Sequence, residues 1–329
     1  MTITAIPTQG QGPRQDNLAG ILCIIAGVAV FFLQDLVLKF ISGGYPLHQA
    51  MVIRSLAATP FLAFLVWRQG GTQTLRTPGW RMMIGRGVVM FLAYATYYLA
   101  LAALPLATVV AIFFASPLFI TILSVLVLGE RVGWHRWAAV AAGFAGVVIL
   151  VRPGGNLFDW AAVLPVMAAL FYAWGMIVTR KHGGTETAAA MALYGNFVFL
   201  VLALCLAALF GGGQFASEEH KSIAFLLRGW VWPTALDLAL MLACGPIAAA
   251  GLTLLAQGYR IAASNVVTPF EYTAMIWGVL FGWLIWRDLP DRNGWLGIAI
   301  ILCAGLYVLW REGRNPRAPA TPHPLTTDP

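Results

Sequence analysis

Apolar residues are gathered into ten long segments that are separated by shorter polar stretches. Most of these segments approach the roughly 20 apolar residues that an α-helix needs to cross a hydrocarbon layer about 30 Å thick. They cover residues 18–38, 47–67, 82–102, 107–128, 137–151, 159–179, 188–210, 235–257, 265–286 and 294–310, here called spans 1 to 10. The pattern predicts an all-α integral membrane protein with ten transmembrane helices.

The polar stretches differ in what they predict. Residues 1–17 and 312–329 are rich in polar residues, glycine or proline, and are expected to be disordered tails. In the long loop 211–234, residues 224–232 are expected to form a helix at the membrane interface. No cleavable signal peptide is expected, because the first apolar run is long and lacks a small-residue cleavage site after it.

Positive charges are divided unevenly between the two sides of the predicted membrane. With ten spans, loops on the side of the N-terminus hold twelve Lys and Arg residues, and loops on the opposite side hold six. Cytoplasmic loops carry the excess in most membrane proteins. The bias predicts that both termini are cytoplasmic, and we call the opposite side the outer side. We expect the chain to lie in the inner membrane. The bias also explains the net charge of +7 without a nucleic-acid partner.

Composition narrows the class of protein further. Hydrophobic residues make up 60% of the chain and charged residues 10%, whereas soluble proteins have about 45–50% and about 25%. All four cysteines lie in apolar runs and no CxxC motif occurs, so neither a metal site, a disulfide framework nor a cofactor is expected. No phosphate-binding loop motif is found, which argues against an ATP-driven pump.

A weak internal repeat relates the two halves of the chain. An offset of 158 residues places Glu130 on Asp288 and Trp137 on Trp295. Each half would hold five spans, and because five is odd, the second half enters the membrane in the opposite orientation. Inverted repeats of this kind are typical of secondary transporters, whose substrate sites lie between the halves near the bilayer midplane.

Spans 4 and 5 carry the motifs of a known family. Span 4 opens with Pro105-Leu106-Ala107 and closes with Gly129-Glu130, and the small-residue span 5 ends in Arg152-Pro153-Gly154. Over about residues 18–311 the chain resembles EamA-type transporters of the drug/metabolite transporter superfamily. In the second half, Arg287-Asp288 stands where Gly-Glu is usual.

The resemblance implies a fold and a substrate class. It implies two inverted five-helix repeats, residues 18–153 and 154–311, around a cavity lined mainly by spans 1, 3, 4, 6, 8 and 9. A second set of residues is similar to a subgroup that takes up S-adenosylmethionine or riboflavin or exports metallophores. This set is Asp35, Lys39, Tyr45, Pro46, Gln49, Arg54, Pro269, Phe270, Glu271 and Tyr272. The expected substrate is a small organic metabolite that resembles an amino acid, a nucleoside or a vitamin.

Three charged residues lie in the outer halves of spans 1 and 2. A charge at the bilayer centre costs about 2.5–3.5 kcal/mol, so such residues are candidates for function. Lys39 follows Asp35 by one helical turn on the same face, and with Arg54 the two are expected to form one buried cluster of net charge +1, which suits an anionic group or a gate. The alternative is that Asp35 pairs with Arg54 to lock two helices while Lys39 reaches the interface.

A second charged pair lies nearer the cytoplasmic side. Arg86 in span 3 and Glu271 in span 9 lie at matching depths and can pair. Glu271 is a candidate for substrate binding or proton coupling, and Pro269 beside it allows the helix to bend. The alternative is a static salt bridge between helices.

Aromatic side chains are expected to line the cavity. The candidates are Tyr94, Tyr98, Phe114, Trp174 and Tyr272. Such rings can stack on a planar heterocycle or enclose a cation, and the alternative for each is packing between helices. Spans 5 and 10 are instead rich in glycine and alanine, which predicts a scaffold or a homodimer interface.

The pattern as a whole favours a secondary transporter that works by alternating access, with proton coupling as one option. A membrane enzyme acting on lipid is an alternative, but four of the five histidines fall in four different loops on both sides of the membrane. A non-transporting scaffold or sensor is a further alternative, and it would leave the buried charges without a use.

Overall fold

The computed structural model describes residues 17–77, 79–130, 132–153, 159–182, 187–262 and 264–314. Residues 1–16 and 315–329, which hold most of the two predicted tails, lie outside these ranges. The described ranges contain helices, turns and loops but no β-strand. The helices are α1 (Asn17–Ile41), α2 (Leu47–Arg68), α3 (Trp80–Ala103), α4 (Leu106–Phe113), α5 (Ser116–Leu128), α6 (Trp134–Val151), α7 (Val163–His182), α8 (Ala188–Phe210), α9 (Lys221–Leu227), α10 (Ala235–Ile261), α11 (Ser264–Val267), α12 (Thr273–Trp286) and α13 (Arg292–Arg314).

The ten predicted spans are present in the fold. Eight helical segments of the described chain are long and apolar enough to cross a membrane. The remaining two spans are the interrupted segment 264–286 and α13. The chain is therefore an all-α, multipass membrane protein, as the hydropathy pattern predicted.

Spans 4 and 9 are each interrupted near their middle. Span 4 divides at Phe114 and Ala115 into α4 and α5, with Pro117 in the first turn of α5. In span 9 a 3-10 turn, Thr268–Tyr272, separates α11 from α12. Proline lacks the amide hydrogen that a helix needs and clashes with the preceding turn, which favours a break at both places. Span 4 still covers Leu106–Leu128 as one membrane-crossing segment, and the break in span 9 contains Pro269, where a bend was expected.

The backbone repeats itself at the same offset as the sequence. α5 ends at Gly129 (φ 68°, ψ 21°) and α12 ends at Arg287 (φ 59°, ψ 22°), both in the left-handed conformation. The amides of the next residues, Glu130 and Asp288, bond to carbonyls six residues earlier at 3.2 and 3.1 Å. Arg287-Asp288 thus keeps the backbone geometry of Gly-Glu.

Helix packing follows the same two-fold relation. α1 packs along α10, and their counterparts in the other half, α7 and α3, pack along each other. Two helices pack against their own counterparts, as α2 does on α8 and α6 on α13, and span 4 contacts its counterpart span 9 through α4 and α12. Since each half crosses the membrane five times, these contacts describe two inverted five-helix repeats.

The small residues of spans 5 and 10 are used within the chain. A Cβ atom added to Gly297 would lie 2.6 Å from Leu150 Cγ and 2.9 Å from the carbonyl oxygen of Gly146. Close approach of two helix backbones is what such residues permit. This contact supports the scaffold interpretation, while the homodimer stays a prediction.

The long outer loop forms a cover rather than a surface helix. Its helix α9 begins three residues before the predicted 224–232 segment. Phe225, a residue of α9, is completely buried. Ser222 donates to the carbonyl oxygen of Leu99 at the outer end of α3, at 2.8 Å. Gln49 and Val231 exchange two hydrogen bonds of 2.6 and 3.1 Å. The loop is therefore fastened across the outer ends of the spans.

An ion pair on the outer side links the two halves and should make a small, pH-dependent contribution to stability. Arg152 binds the carboxylate of Asp291, which also accepts from the amide of Gly294 at 2.8 Å. The arginine, and then this amide, hold the pKa of Asp291 below its usual value. A lowered folded-state pKa adds stability above the unfolded-state pKa, and this stability is lost as pH falls through the folded-state value.

Asp291→Asn is therefore expected to lower the free energy of unfolding by less than about 1 kcal/mol at pH 7, because the pair is largely exposed. Asparagine still caps a helix, so the substitution isolates the charge. Melting temperatures of both proteins in detergent between pH 3 and pH 7 provide the measurement. A difference that grows as the solution becomes more acidic would contradict the assignment.

Candidate functional site

The centre of the bundle holds a hydrogen-bond network that joins spans 1, 2 and 3. Arg54 Nε donates to Gln34 Oε1 at 3.1 Å, and Gln34 Nε2 donates to the Tyr98 hydroxyl at 2.6 Å. The Tyr97 hydroxyl donates to Asp35 Oδ2 at 2.9 Å. Gln34 and Tyr98 are 1% exposed, so the network is built into the core and fixes the side chains that belong to it.

Arg54 is also held by two aromatic rings. Its Cζ atom lies 5.6 Å from the ring centroids of Tyr94 and Phe199. Both distances are within the range of cation–π attraction, which strengthens where water is excluded. The guanidinium therefore has a defined place between α2, α3 and α8.

Lys39 does not join the cluster that the sequence predicted. Its Nζ atom donates to the carbonyl oxygens of Leu101 at 2.9 Å and Leu104 at 2.6 Å, at the end of α3. The last carbonyls of a helix lack partners within the helix and carry partial negative charge, which a lysine satisfies. Asp35 and Arg54 remain electrostatic neighbours, so the expected group of three is divided into a central pair and a separate outer contact.

A chain of aromatic rings continues from the network to the other half of the molecule. Phe113 lies between Tyr97 and Tyr172, with centroid distances of 5.1 and 5.4 Å. Phe114 and Tyr272 stand 4.8 Å apart. These last two residues are separated by the 158-residue offset and occupy the two helix breaks, so the interrupted spans meet at the pseudo-two-fold axis.

Arg86 and Glu271 lie in one neighbourhood. Arg86 Nε donates to Thr179 Oγ1 at 2.6 Å, which ties α3 to α7. Tyr172 lies close enough to Arg86 and to Glu271 to interact electrostatically with both. Glu271 also acts electrostatically on Tyr272. A direct Arg86–Glu271 pair stays a prediction.

The aromatic candidate of span 6, Trp174, lies on a different face of α7 from Tyr172, and its place in the site stays a prediction. Trp174 is 43% exposed and stands two residues after Tyr172, close to the opposite face of α7. Since Tyr172 packs against Phe113, Trp174 points away from this contact. Tyr172 is therefore the residue of α7 that belongs to the ring cluster.

Gln34 was missed by the sequence reasoning, although a signal was present. It is a polar amide inside the first apolar span and stands directly before Asp35. Amides within membrane helices commonly form hydrogen bonds between helices. Gln34 links Arg54 to Tyr98 in this way, and the pattern of hydropathy did not show which partners it would take.

Side chains on the outer side of the site join the two halves. Tyr45 donates to Asp237 Oδ2 at 2.6 Å, and His48 Nε2 contacts the carbonyl oxygen of Arg228 at 3.2 Å. Lys39 closes the gap between α1 and α3, with Trp286 of α12 5.3 Å from its Nζ atom. These contacts tie helix ends together on the outer side of the charged and aromatic residues.

Comparisons with known proteins agree with this architecture. Residues 18–152 match the model of a family described as the EamA-like transporter family. A riboflavin transporter from Rhizobium johnstonii is 34% identical over 266 residues, covering 80% of each chain. An S-adenosylmethionine uptake transporter from Rickettsia prowazekii is 23% identical over 304 residues, 91% of this chain and 95% of the relative.

Two further comparisons extend over most of the chain. The pseudopaline exporter CntI from Pseudomonas aeruginosa is 25% identical over 288 residues, 87% of this chain and 94% of the exporter. One solved crystal structure has a TM-score of 0.60 at 19% identity and covers 92% of this chain and 99% of that chain. This last likeness concerns the fold alone.

Proposed function

The chain belongs to the EamA-like transporter family, and we propose that it carries a small organic metabolite across the inner membrane by alternating access of its two halves. The halves are residues 18–153 and 154–311, and both termini lie in the cytoplasm. The relatives with wide coverage include transporters for riboflavin and S-adenosylmethionine and an exporter of pseudopaline. Their substrates support a metabolite-sized, polar cargo.

The observation that carries the proposal is the network around Asp35 and Arg54. A membrane scaffold can join its helices through uncharged groups, whereas an arginine and an aspartate held among aromatic rings at this depth are each costly. A transporter uses such groups to bind polar cargo between its repeats. The aromatic cluster of Tyr94, Phe113 and Tyr172 supplies flat surfaces for a ring system.

The contacts support a state that is closed on the outer side. The outer loop, Lys39 and Tyr45 fasten the outer ends of the helices, so cargo in this state exchanges with the cytoplasm. Opening outward requires these bonds to break while the inner ends of the halves close. The two helix breaks provide the places where spans 4 and 9 can bend.

Transport by the purified full-length protein in proteoliposomes tests the proposal. We expect counterflow of at least one member of a panel that holds riboflavin, S-adenosylmethionine and the amino acids, above the level of protein-free liposomes. Exchange of none of these compounds, together with a flux of inorganic ions, would contradict the proposal and favour a channel.

Glu271→Gln is expected to lower the rate of counterflow about tenfold, the loss that corresponds to about 1.4 kcal/mol of interaction with cargo or a coupling proton. The residue stands in the 3-10 turn where span 9 is interrupted, beside Tyr172 and Tyr272. Initial rates with and without an imposed pH gradient provide the measurement.

Glu218→Gln is the matched control, because Glu218 is exposed in the outer loop. Its rate should equal that of the unchanged protein. Equal rates for both variants would remove Glu271 from the site, and a slower rate with unaltered pH dependence would assign it to binding alone.

A further inference from the structure

Arg54 presents an unused edge of its guanidinium to the interior of the bundle. Its Nε atom is engaged by Gln34, and its faces are held by Tyr94 and Phe199. Among the described residues, its two Nη atoms have no hydrogen-bond acceptor. A planar guanidinium fixed in this manner retains the fork that binds a carboxylate through two parallel hydrogen bonds.

Asp35 is the complementary acceptor in the same region. Tyr97 donates to its Oδ2 atom, and no Lys or Arg of the described chain forms an ion pair with it. Arg54 acts on it electrostatically from beyond ion-pair distance. A positive and a negative group thus stand near each other without neutralising each other directly.

The side chains of Asp35 and Arg54 point toward the interior of the bundle rather than toward lipid. Asp35 and Arg54 are partly exposed, yet each contacts interior residues. The faces turned to lipid are marked by Leu33 and Leu56, which are 44% and 55% exposed. These leucines stand two residues from the charges along their helices and so point to nearly opposite sides.

We propose that Arg54 and Asp35 together bind the zwitterionic head of an α-amino-acid-type substrate. Arg54 receives the carboxylate, Asp35 receives the ammonium group, and the remainder of the substrate packs on the rings around Tyr94 and Phe113. An uncharged heterocycle would bring no charged partner for the Nη atoms of Arg54 or for the carboxylate of Asp35, whereas a zwitterion brings one for each. The inference rests on the proposed function and names its substrate class.

Matched probes on the full-length wild-type protein in nanodiscs test this assignment. The first set is L-tryptophan, L-tryptophanamide without the carboxylate, and indole-3-propionate without the ammonium group. The second set is S-adenosylhomocysteine and 5′-methylthioadenosine, which lacks the amino-acid head. Each zwitterion is expected to bind about tenfold or more tightly than its truncated partners, since truncation removes one charge-assisted contact from tryptophan and both from S-adenosylhomocysteine.

Variants then assign each half of the zwitterion to one residue. Arg54→Gln should remove the preference for tryptophan over its amide, and Asp35→Asn should remove the preference over indole-3-propionate. Arg76→Gln, at an exposed arginine outside the membrane, should keep both preferences. The comparison of probes on the wild-type protein remains decisive where a variant fails to fold.

Equal affinity within both probe sets, or binding of neither zwitterion, would overturn the inference. If an uncharged heterocycle shows counterflow in either case, the proposed function holds and only the zwitterionic substrate class is contradicted. Absence of counterflow for every compound tested would instead contradict the proposed function itself. Preferences that persist in both Arg54→Gln and Asp35→Asn would place the zwitterion site elsewhere and overturn the assignment.

Discussion

Replacing Lys39 with methionine is expected to open the outer side of the protein and increase access to the site about 30-fold. Methionine keeps the length of the side chain but cannot donate to the carbonyl oxygens of Leu101 and Leu104. Hydrogen bonds from charged groups contribute about 1.5–3 kcal/mol each, and about 2 kcal/mol shifts an equilibrium roughly 30-fold. The closed state loses these bonds, whereas an open state gains water at the same carbonyls.

A native cysteine can report this opening. Cys244 is 1% exposed in α10 and lies close enough to Asp35 and Arg54 to interact electrostatically with both. With Cys23, Cys205 and Cys303 replaced by serine, a membrane-impermeant methanethiosulfonate added from outside should modify Cys244 faster in Lys39→Met. The initial rate of modification is the measured quantity.

Lys221→Met serves as the control for the loss of a positive charge. Lys221 is an exposed residue at the start of α9 on the same side of the membrane. Its replacement should leave the rate of Cys244 modification close to that of the parent. Similar rates in all three proteins would mean that Lys39 supports α3 without closing the path.

Replacing Gly245 with leucine is expected to prevent the helices α2 and α10 from packing. A Cβ atom at this position would lie 2.6 Å from two backbone atoms, Ala57 C and Ala58 N. Backbone atoms cannot rotate away, so α2 or α10 must move as a body. Overpacking of a close contact costs about 1–3 kcal/mol and more for a large side chain. We expect loss of the monodisperse peak in size-exclusion chromatography, and a lowered melting temperature for the milder Gly245→Ala.

Gly195→Ala provides the matched comparison. Gly195 lies in α8, and no atom stands within 4 Å of a Cβ added there. Alanine at this position should be neutral or stabilising, because it favours the helix and restricts the unfolded chain. Equal melting temperatures for Gly245→Ala and Gly195→Ala would show that α2 and α10 do not approach as closely as described.

Several features of the fold were predictable because the membrane imposes them. An apolar solvent requires every backbone group to be paired within its own helix, so long apolar runs specify helices. The ten spans and the inverted repeat were confirmed on this basis, and the family was confirmed by the comparisons. The structure added that Gly129 and Arg287, which the repeat aligns, end their helices in the same conformation.

The contacts of the site were harder to predict. Hydropathy located Asp35, Lys39 and Arg54 within the spans, since charges stand out among apolar residues. It did not indicate that Lys39 reaches α3 or that Trp174 points away from Tyr172. Those outcomes depend on how each helix is rotated about its axis and how closely it approaches its neighbours.

The sequence by itself determined that this chain spans a membrane ten times, that its halves are inverted copies, and which charges they hold. Whether a segment lies in lipid depends on the amino-acid composition of that segment, which the sequence shows directly. The tertiary structure alone decided that Gln34 joins Arg54 to Tyr98, that Tyr97 holds Asp35, and that Phe114 meets Tyr272. These contacts require helix crossings set by small residues such as Gly245 and Gly297, and a crossing is a property of two distant segments together.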